Sequence, residues 1–161
     1  MSQTDLANCQ IPLPYHGILT EDTTWQGEVW IDGDVIIPVQ RTLSILPGTV
    51  IRFTKKSSFD HLIQRSTPEG SRDFTTPGKS HFIIYGNLEA HGEPEGRIDI
   101  ACDSCEPWGG VIVLNHARAT LTHVRMEKYA LGFQCLDLAL VELQNSTFSG
   151  DAVGILLKGF S

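Results

Sequence analysis

Residues 110–131 read GVIVLNHARATLTHVRMEKYAL, and residues 132–153 read GFQCLDLALVELQNSTFSGDAV. Aligned at their first glycines, the two segments have apolar or small residues at many corresponding positions, and a third, shorter segment begins at Gly154. The second half of the chain therefore repeats with a period of about 22 residues, within the range of solenoid repeats. Such a period is the first guide to the fold, because each repeat must bury its apolar face against its neighbours.

Each repeat contains short runs in which apolar and polar residues largely alternate, as at 119–124 and 138–143. Alternation with period two is typical of strands that bury one face. Several short strands in one repeat predict a coil in which equivalent strands stack in parallel, about 4.8 Å apart. A leucine-rich repeat has a similar period and is the alternative, but its Asn position is occupied here by His123 and then Asn145.

The first half of the chain also has short runs of alternating apolar and polar residues, separated by turn residues. Residues 25–53 follow the string W-x-G-x-V-x-I-x-G-D-V-I-I-P-x-x-x-T-L-x-I-x-P-G-T-V-I-x-F, with turns expected at 32–34 and at Pro47-Gly48. This string resembles the opening rungs of bacterial right-handed parallel β-helix repeat proteins, which have the pectin-lyase-like architecture. The resemblance extends over residues 23–53 and 81–157 and rests on turn and core residues.

The resemblance implies an all-β fold, a single-stranded right-handed parallel β-helix (solenoid) of about five or six rungs. We expect residues 1–22 to form an N-terminal capping segment and residues 23–161 to form the β-helix domain. Residues 54–80 interrupt the rungs as a long polar loop insertion, of a length that is uncommon in a compact domain and is often functional or disordered. The insertion carries a net charge of +2, and the rest of the chain carries −9.

The composition excludes some functions. The chain has 161 residues and a net charge of −7, which disfavours nucleic-acid binding because a binder needs a basic face. As given, the sequence has no signal peptide and no apolar run that would insert into a membrane. On that basis we expect a cytoplasmic protein, although proteins of the family that it resembles are often exported.

The most distinctive local motif is a pair of cysteines separated by two residues, Cys102-Asp103-Ser104-Cys105. Two thiolates at this spacing can hold a metal such as zinc or close a disulfide, and otherwise they are free thiols in a turn between rungs. A zinc site needs four ligands, and the sequence has no second pair of this kind. We therefore expect no cofactor, and we interpret Cys135 as a small core residue.

Two patterns bear on an enzymatic or sugar-binding function. Trp25, Trp30 and Trp108 are aromatic residues of the kind that form a sugar-binding platform, although Trp25 and Trp108 occupy positions that also suit packing. Enzymes of the pectin-lyase-like architecture use carboxylates on adjacent rungs, with calcium or as acid and base. No pair of carboxylates coincides in the register of the repeat, so a polysaccharide lyase or glycoside hydrolase is disfavoured.

The sequence predicts a non-enzymatic structural module that binds other proteins. Residues 154–161 are apolar and stop partway through a rung, so Ile155, Leu156, Leu157 and Phe160 are the predicted interface. An uncovered last rung exposes core and unpaired strand groups, which a second copy or another protein would cover. The insertion at 54–80 is a second candidate contact, and a β-helix that binds or cleaves polysaccharide is the alternative.

Overall fold

The computed structural model describes residues 14–54, 78–103, 106–114, 116–136 and 138–158, without the side chains of 151–153 and 158. Within these ranges the chain forms thirteen β-strands and no helix, so the prediction of an all-β fold is confirmed. The strands are β1 (Tyr15–Ile18), β2 (Thr23–Trp25), β3 (Glu28–Ile37), β4 (Thr42–Ile45), β5 (Val50–Phe53), β6 (His81–Ile84), β7 (Asn87–His91), β8 (Ile98–Cys102), β9 (Gly110–Val113), β10 (Arg118–Thr122), β11 (Val124–Leu136), β12 (Leu140–Gln144) and β13 (Thr147–Lys158).

The strands form two sheets, and neighbouring strands in both sheets are parallel. The five-stranded sheet has the order β12-β10-β7-β4-β2. The eight-stranded sheet contains the other strands, and its long members β3 and β11 each pair along one edge with two strands, one after the other. The first part of β3 pairs with β5 and its last part pairs with β6.

Successive parts of the chain therefore visit the two sheets in a fixed order. One strand enters the five-stranded sheet, and the next two strand segments enter the eight-stranded sheet, before the cycle begins again. Arg118 pairs with Leu140 and Arg125 pairs with Thr147, each one repeat further along the chain, as the period predicts. We call each such set of three strand segments a unit.

Because parallel strands pair in register, side chains of like position stack from unit to unit and form columns in the core. One column is Val35, Phe82, Val111 and Phe133, all of them buried. Four further columns have the same form. Their buried members are Trp25, Ile45, Ala90 and Leu121; Leu43, Leu88 and Ala119; Ile51, Ile100 and Met126; and Ile37, Ile84, Val113 and Cys135.

The repeated glycines mark where the backbones of adjacent units come closest. A Cβ on Gly132 would overlap the carbonyl oxygen of Gly154, and a Cβ on Gly110 would overlap that of Leu131. Gly110 also has a φ of +120°, which residues with a Cβ rarely adopt. The regular spacing of these glycines thus follows from the contact between neighbouring units.

The turn predicted at 32–34 is wrong, whereas the turn at Pro47-Gly48 is present between β4 and β5. β3 runs without interruption through Asp32 and Asp34, and each carboxylate has a histidine partner. Asp32 pairs with His16 at 2.7 Å, so these residues serve contacts between units rather than a turn.

Replacing Gly132 by alanine should destabilise the fold by about 1–3 kcal/mol, because the new methyl group must displace backbone of the next unit. Gly154→Ala is the matched control, since a Cβ there meets only the Tyr129 hydroxyl at 3.8 Å. We expect it to be neutral or to stabilise by up to about 1 kcal/mol through the unfolded chain. Urea denaturation measures both, and equal stability of the two variants would contradict the close approach.

Candidate interaction surface

The last unit of the fold ends in an apolar surface where the core columns stop. Each of the five columns finishes on a residue of β12 or β13. The last members of two columns, Ile155 and Leu157, are 47% and 76% exposed, although the residues stacked beneath them are buried. We call this surface the open end. It consists of Val141, Leu143, Phe148, Ile155 and Leu157, the first three being partly buried against the core.

At the opposite end of the molecule β1 covers the edge of the eight-stranded sheet, whereas the outer edge of β2 has no partner among the described strands. β1 pairs with β3, and the Leu19 amide continues this contact by donating to the Ile36 carbonyl oxygen at 3.0 Å. The Leu19 side chain is buried, and the ring of Tyr15 packs edge-on against Trp25 at 5.7 Å. The two ends therefore differ, since the core residues are covered at the end of β1 and exposed at the open end.

The open end also exposes backbone hydrogen-bonding groups. Among the described strands, β12 pairs only with β10, and β13 only with β11. The Leu140 amide donates to the Ala117 carbonyl oxygen at 2.9 Å, so the peptide groups of the alternate residues Val141 and Leu143 face away from β10. Edge strands usually carry lysine or proline that blocks a further strand, but β12 reads LVELQ and its one charged residue is Glu142.

The four residues predicted as an interface do not all lie together. Ile155 and Leu157 belong to the open end, but Leu156 is on the opposite side of β13, where it pairs with Gln134. Phe160 lies outside the described residues. Val141, Leu143 and Phe148 complete the open end and were missed. The repeat alignment already placed Leu143 on Leu121, which is a core residue.

The outer face of the eight-stranded sheet carries ion pairs between residues that are distant in sequence. The Arg52 Nε atom lies 3.2 Å from Glu28 Oε1, and its Nη1 atom lies 3.7 Å from Asp103 Oδ1. The guanidinium also stands over the Trp30 ring, 5.8 Å from its centre. About half of each charged side chain is exposed, so each pair contributes about 0–1 kcal/mol.

Two more ion pairs continue along this face. Arg97 Nε lies 3.6 Å from Asp99 Oδ1, and Arg125 Nε donates to Glu127 Oε1 at 2.6 Å. The hydrogen bond to Glu127, together with its charge, raises the pKa of Arg125. Positive and negative side chains thus alternate on the face. The sequence did not predict the contact of Arg52 with Asp103, because β5 and β8 pair across the insertion, at an offset unlike that of the repeat.

A buried histidine–aspartate pair links β3 to β6. The backbone amide of His81 donates to Asp34 Oδ1 at 2.9 Å, and its ring Nδ1 lies 3.1 Å from the same oxygen. Both side chains are almost fully buried, and Gly109 packs directly against the imidazole. This contact anchors the chain where it re-enters the sheet after residues 54–80, and hence contributes to the fold.

Two of the four cysteines, Cys102 and Cys135, lie in the part of the chain that the structure describes. Cys102 ends β8, is buried and pairs in register with Phe53, whereas Cys105 lies outside the described residues. The pairing of these two thiols therefore stays a prediction. Cys135 is buried in a core column, as predicted, and this burial raises its pKa.

Two of the three tryptophans are core residues. Trp108 is 2% exposed, stacks on Phe53 at 4.3 Å and donates from Nε1 to the Glu127 carbonyl oxygen at 2.9 Å. Trp25 is also buried, and Trp30 is half-buried beside Arg52. The packing interpretation of Trp25 and Trp108 is confirmed, and these rings offer no platform for a sugar.

Within the described ranges, no three His, Cys, Asp or Glu side chains are grouped so as to hold a metal ion. The same ranges contain no helix that is long and apolar enough to cross a membrane. Comparison of the chain with protein-family models, with curated proteins and with solved structures found no match. The candidate site therefore rests on the geometry of the open end.

Because Cys135 is buried, its thiol should not react with a reagent in the folded protein. In the folded protein at pH 8, a disulfide reagent should titrate the same number of thiols in the parent and in Cys135→Ser. After unfolding, the parent should show one thiol more. Because the folded pKa is raised, the parent should also lose stability relative to Cys135→Ser as the pH rises above about 8.5, where an unfolded thiol ionises. An additional reactive thiol in the folded parent would contradict this burial.

Proposed function

We propose that the chain folds as a right-handed parallel β-helix and works as an interaction module that joins a second copy of itself through the open end. Support for the helix comes from the in-register parallel pairing of five successive units. Connections between parallel strands of one sheet are right-handed in about 98% of cases, which supports the handedness. Three strand segments per unit favour this architecture over a leucine-rich repeat.

The observation that carries the interaction function is the exposure of Ile155 and Leu157 at the ends of two otherwise buried columns. Covering an apolar side chain of this size contributes about 1.5–3 kcal/mol relative to leaving it exposed. The peptide groups of β12 that face away from β10 can accept a further strand, which adds hydrogen bonds to the apolar contact. We assign the module no reaction.

A second copy fits this surface because of the charge distribution. The chain carries a net charge of −7, so two copies repel each other overall. The edge strands β12 and β13 include only three charged residues, Glu142, Asp151 and Lys158. Two acidic chains can therefore approach most closely at the open end.

The test is a comparison of two substitutions of exposed apolar residues by aspartate. Leu157→Asp places a charge in the proposed contact, whereas Val39→Asp, at a residue 67% exposed between β3 and β4, leaves it intact. We expect parent and Val39→Asp to dimerise in sedimentation equilibrium. Leu157→Asp should weaken the dimer by about tenfold or more, because the charge would be desolvated without a partner.

Circular dichroism and a melting curve accompany each sample, so that loss of association is separated from loss of the fold. Leu157 is mostly exposed in the single chain, and we expect its substitution to change the stability of the monomer by about 0.5 kcal/mol or less. A parent that stays monomeric at the highest soluble concentration would overturn the proposal. Equal weakening by both substitutions would place the contact elsewhere.

A further inference from the structure

We infer that two copies meet with two-fold symmetry, with β12 of one copy antiparallel to β12 of the other. This inference rests on the proposed function and specifies the geometry of the partner at the same surface. In a two-fold contact both copies use one patch, so the assembly closes as a dimer. A head-to-tail contact would instead join the open end to the opposite end and continue as a filament.

The opposite end offers only the outer edge of β2, which has no partner among the described strands. β1 already occupies the edge of β3 there, and the buried Leu19 and the Tyr15 ring cover the adjoining core. In head-to-tail stacking β12 could pair with the free edge of β2, but the apolar residues of β13 would face β1 instead of open core. The open end can meet another open end without displacing any described strand.

The hydrogen bonds of β12 determine which residues can bond to a second copy. The Leu140 amide donates toward β10, and the Gln144 carbonyl oxygen accepts from the His123 amide at 3.0 Å. Residues 140, 142 and 144 thus direct their peptide groups inward, and Val141 and Leu143 direct theirs to the open edge. In an antiparallel pair, Val141 and Leu143 must therefore occupy the hydrogen-bonded positions.

One register uses all five residues of β12. Val141 then lies opposite Leu143 of the second copy, each bonding through both of its peptide groups, and Glu142 lies opposite Glu142 on the two-fold axis. Both core-facing residues of β12 continue the core across the junction. A register shifted to centre on Val141 would keep the same hydrogen-bonding phase but pair only three residues of β12.

Cysteine cross-linking tests the geometry, in a chain whose Cys9 and Cys105 are replaced by serine. At the two-fold axis, Glu142→Cys should form a disulfide with its own copy, because residues opposite in a non-hydrogen-bonded pair have Cα atoms about 4.5 Å apart. Leu140→Cys alone and Gln144→Cys alone should not cross-link, since like positions are then about 13 Å apart. A mixture of these two variants should cross-link.

The outcomes separate the geometry from the proposed function. Cross-linking by Glu142→Cys and by the mixture supports the two-fold dimer. A parent that dimerises while Leu140→Cys links to itself, or while Glu142→Cys links only to Thr24→Cys on β2, overturns the two-fold inference and leaves the proposed function standing. A parent without any dimer overturns both.

A charge variant supplies a second measurement that does not depend on oxidation. The two Glu142 carboxylates face each other across the axis and oppose association. Glu142→Gln should therefore tighten the dimer about two- to fivefold, and the gain should shrink as salt rises. Glu89 on β7 is stacked in register with Glu142, two units away, with Thr120 between them. Glu89→Gln is therefore the matched control and should leave the affinity unchanged. Equal affinity of Glu142→Gln and the parent would overturn this register.

Discussion

In-register parallel stacking is the constraint on which the rest of the structure depends. Each strand presents the same side chain position to the strand one unit later, so apolar residues meet apolar residues and form continuous columns. The backbones approach so closely at Gly110 and Gly132 that a side chain would displace the next unit. Aromatic packing adds to the core, where Trp108 stacks on Phe53.

Parallel stacking of this kind can continue indefinitely, so the edge strands and core residues at each end of the molecule have to be covered in another way. At one end β1 pairs with β3, and Leu19 is buried behind it. At the other end the columns finish on Ile155 and Leu157, which remain exposed on strands whose outer edges have no partner among the described strands. The same interaction that holds the units together is thus available to a second chain, and this asymmetry is the physical basis of the function that we propose.

The repeat predicted part of this structure because it reflects stacking directly. Pairs such as Leu121 with Leu143 follow from the constant spacing of the repeat. The pairing of Arg52 with Asp103 did not follow, since β5 and β8 pair across the insertion and the constant spacing of the repeat does not relate them. Asp34 was interpreted as a turn residue because Asp-Gly-Asp suits turns; its contact with His81 depends on a strand 47 residues away.

Amide hydrogen exchange of Val141 and Leu143 tests most directly whether the open edge of β12 pairs with a second copy. Their amides face away from β10, whereas that of Leu140 donates to Ala117 in the single chain. Measured by NMR at increasing protein concentration, exchange at Val141 and Leu143 should slow as the dimer forms, with Leu140 protected throughout. Exchange at Val141 and Leu143 that stays fast at concentrations where the protein is dimeric would contradict pairing at this edge.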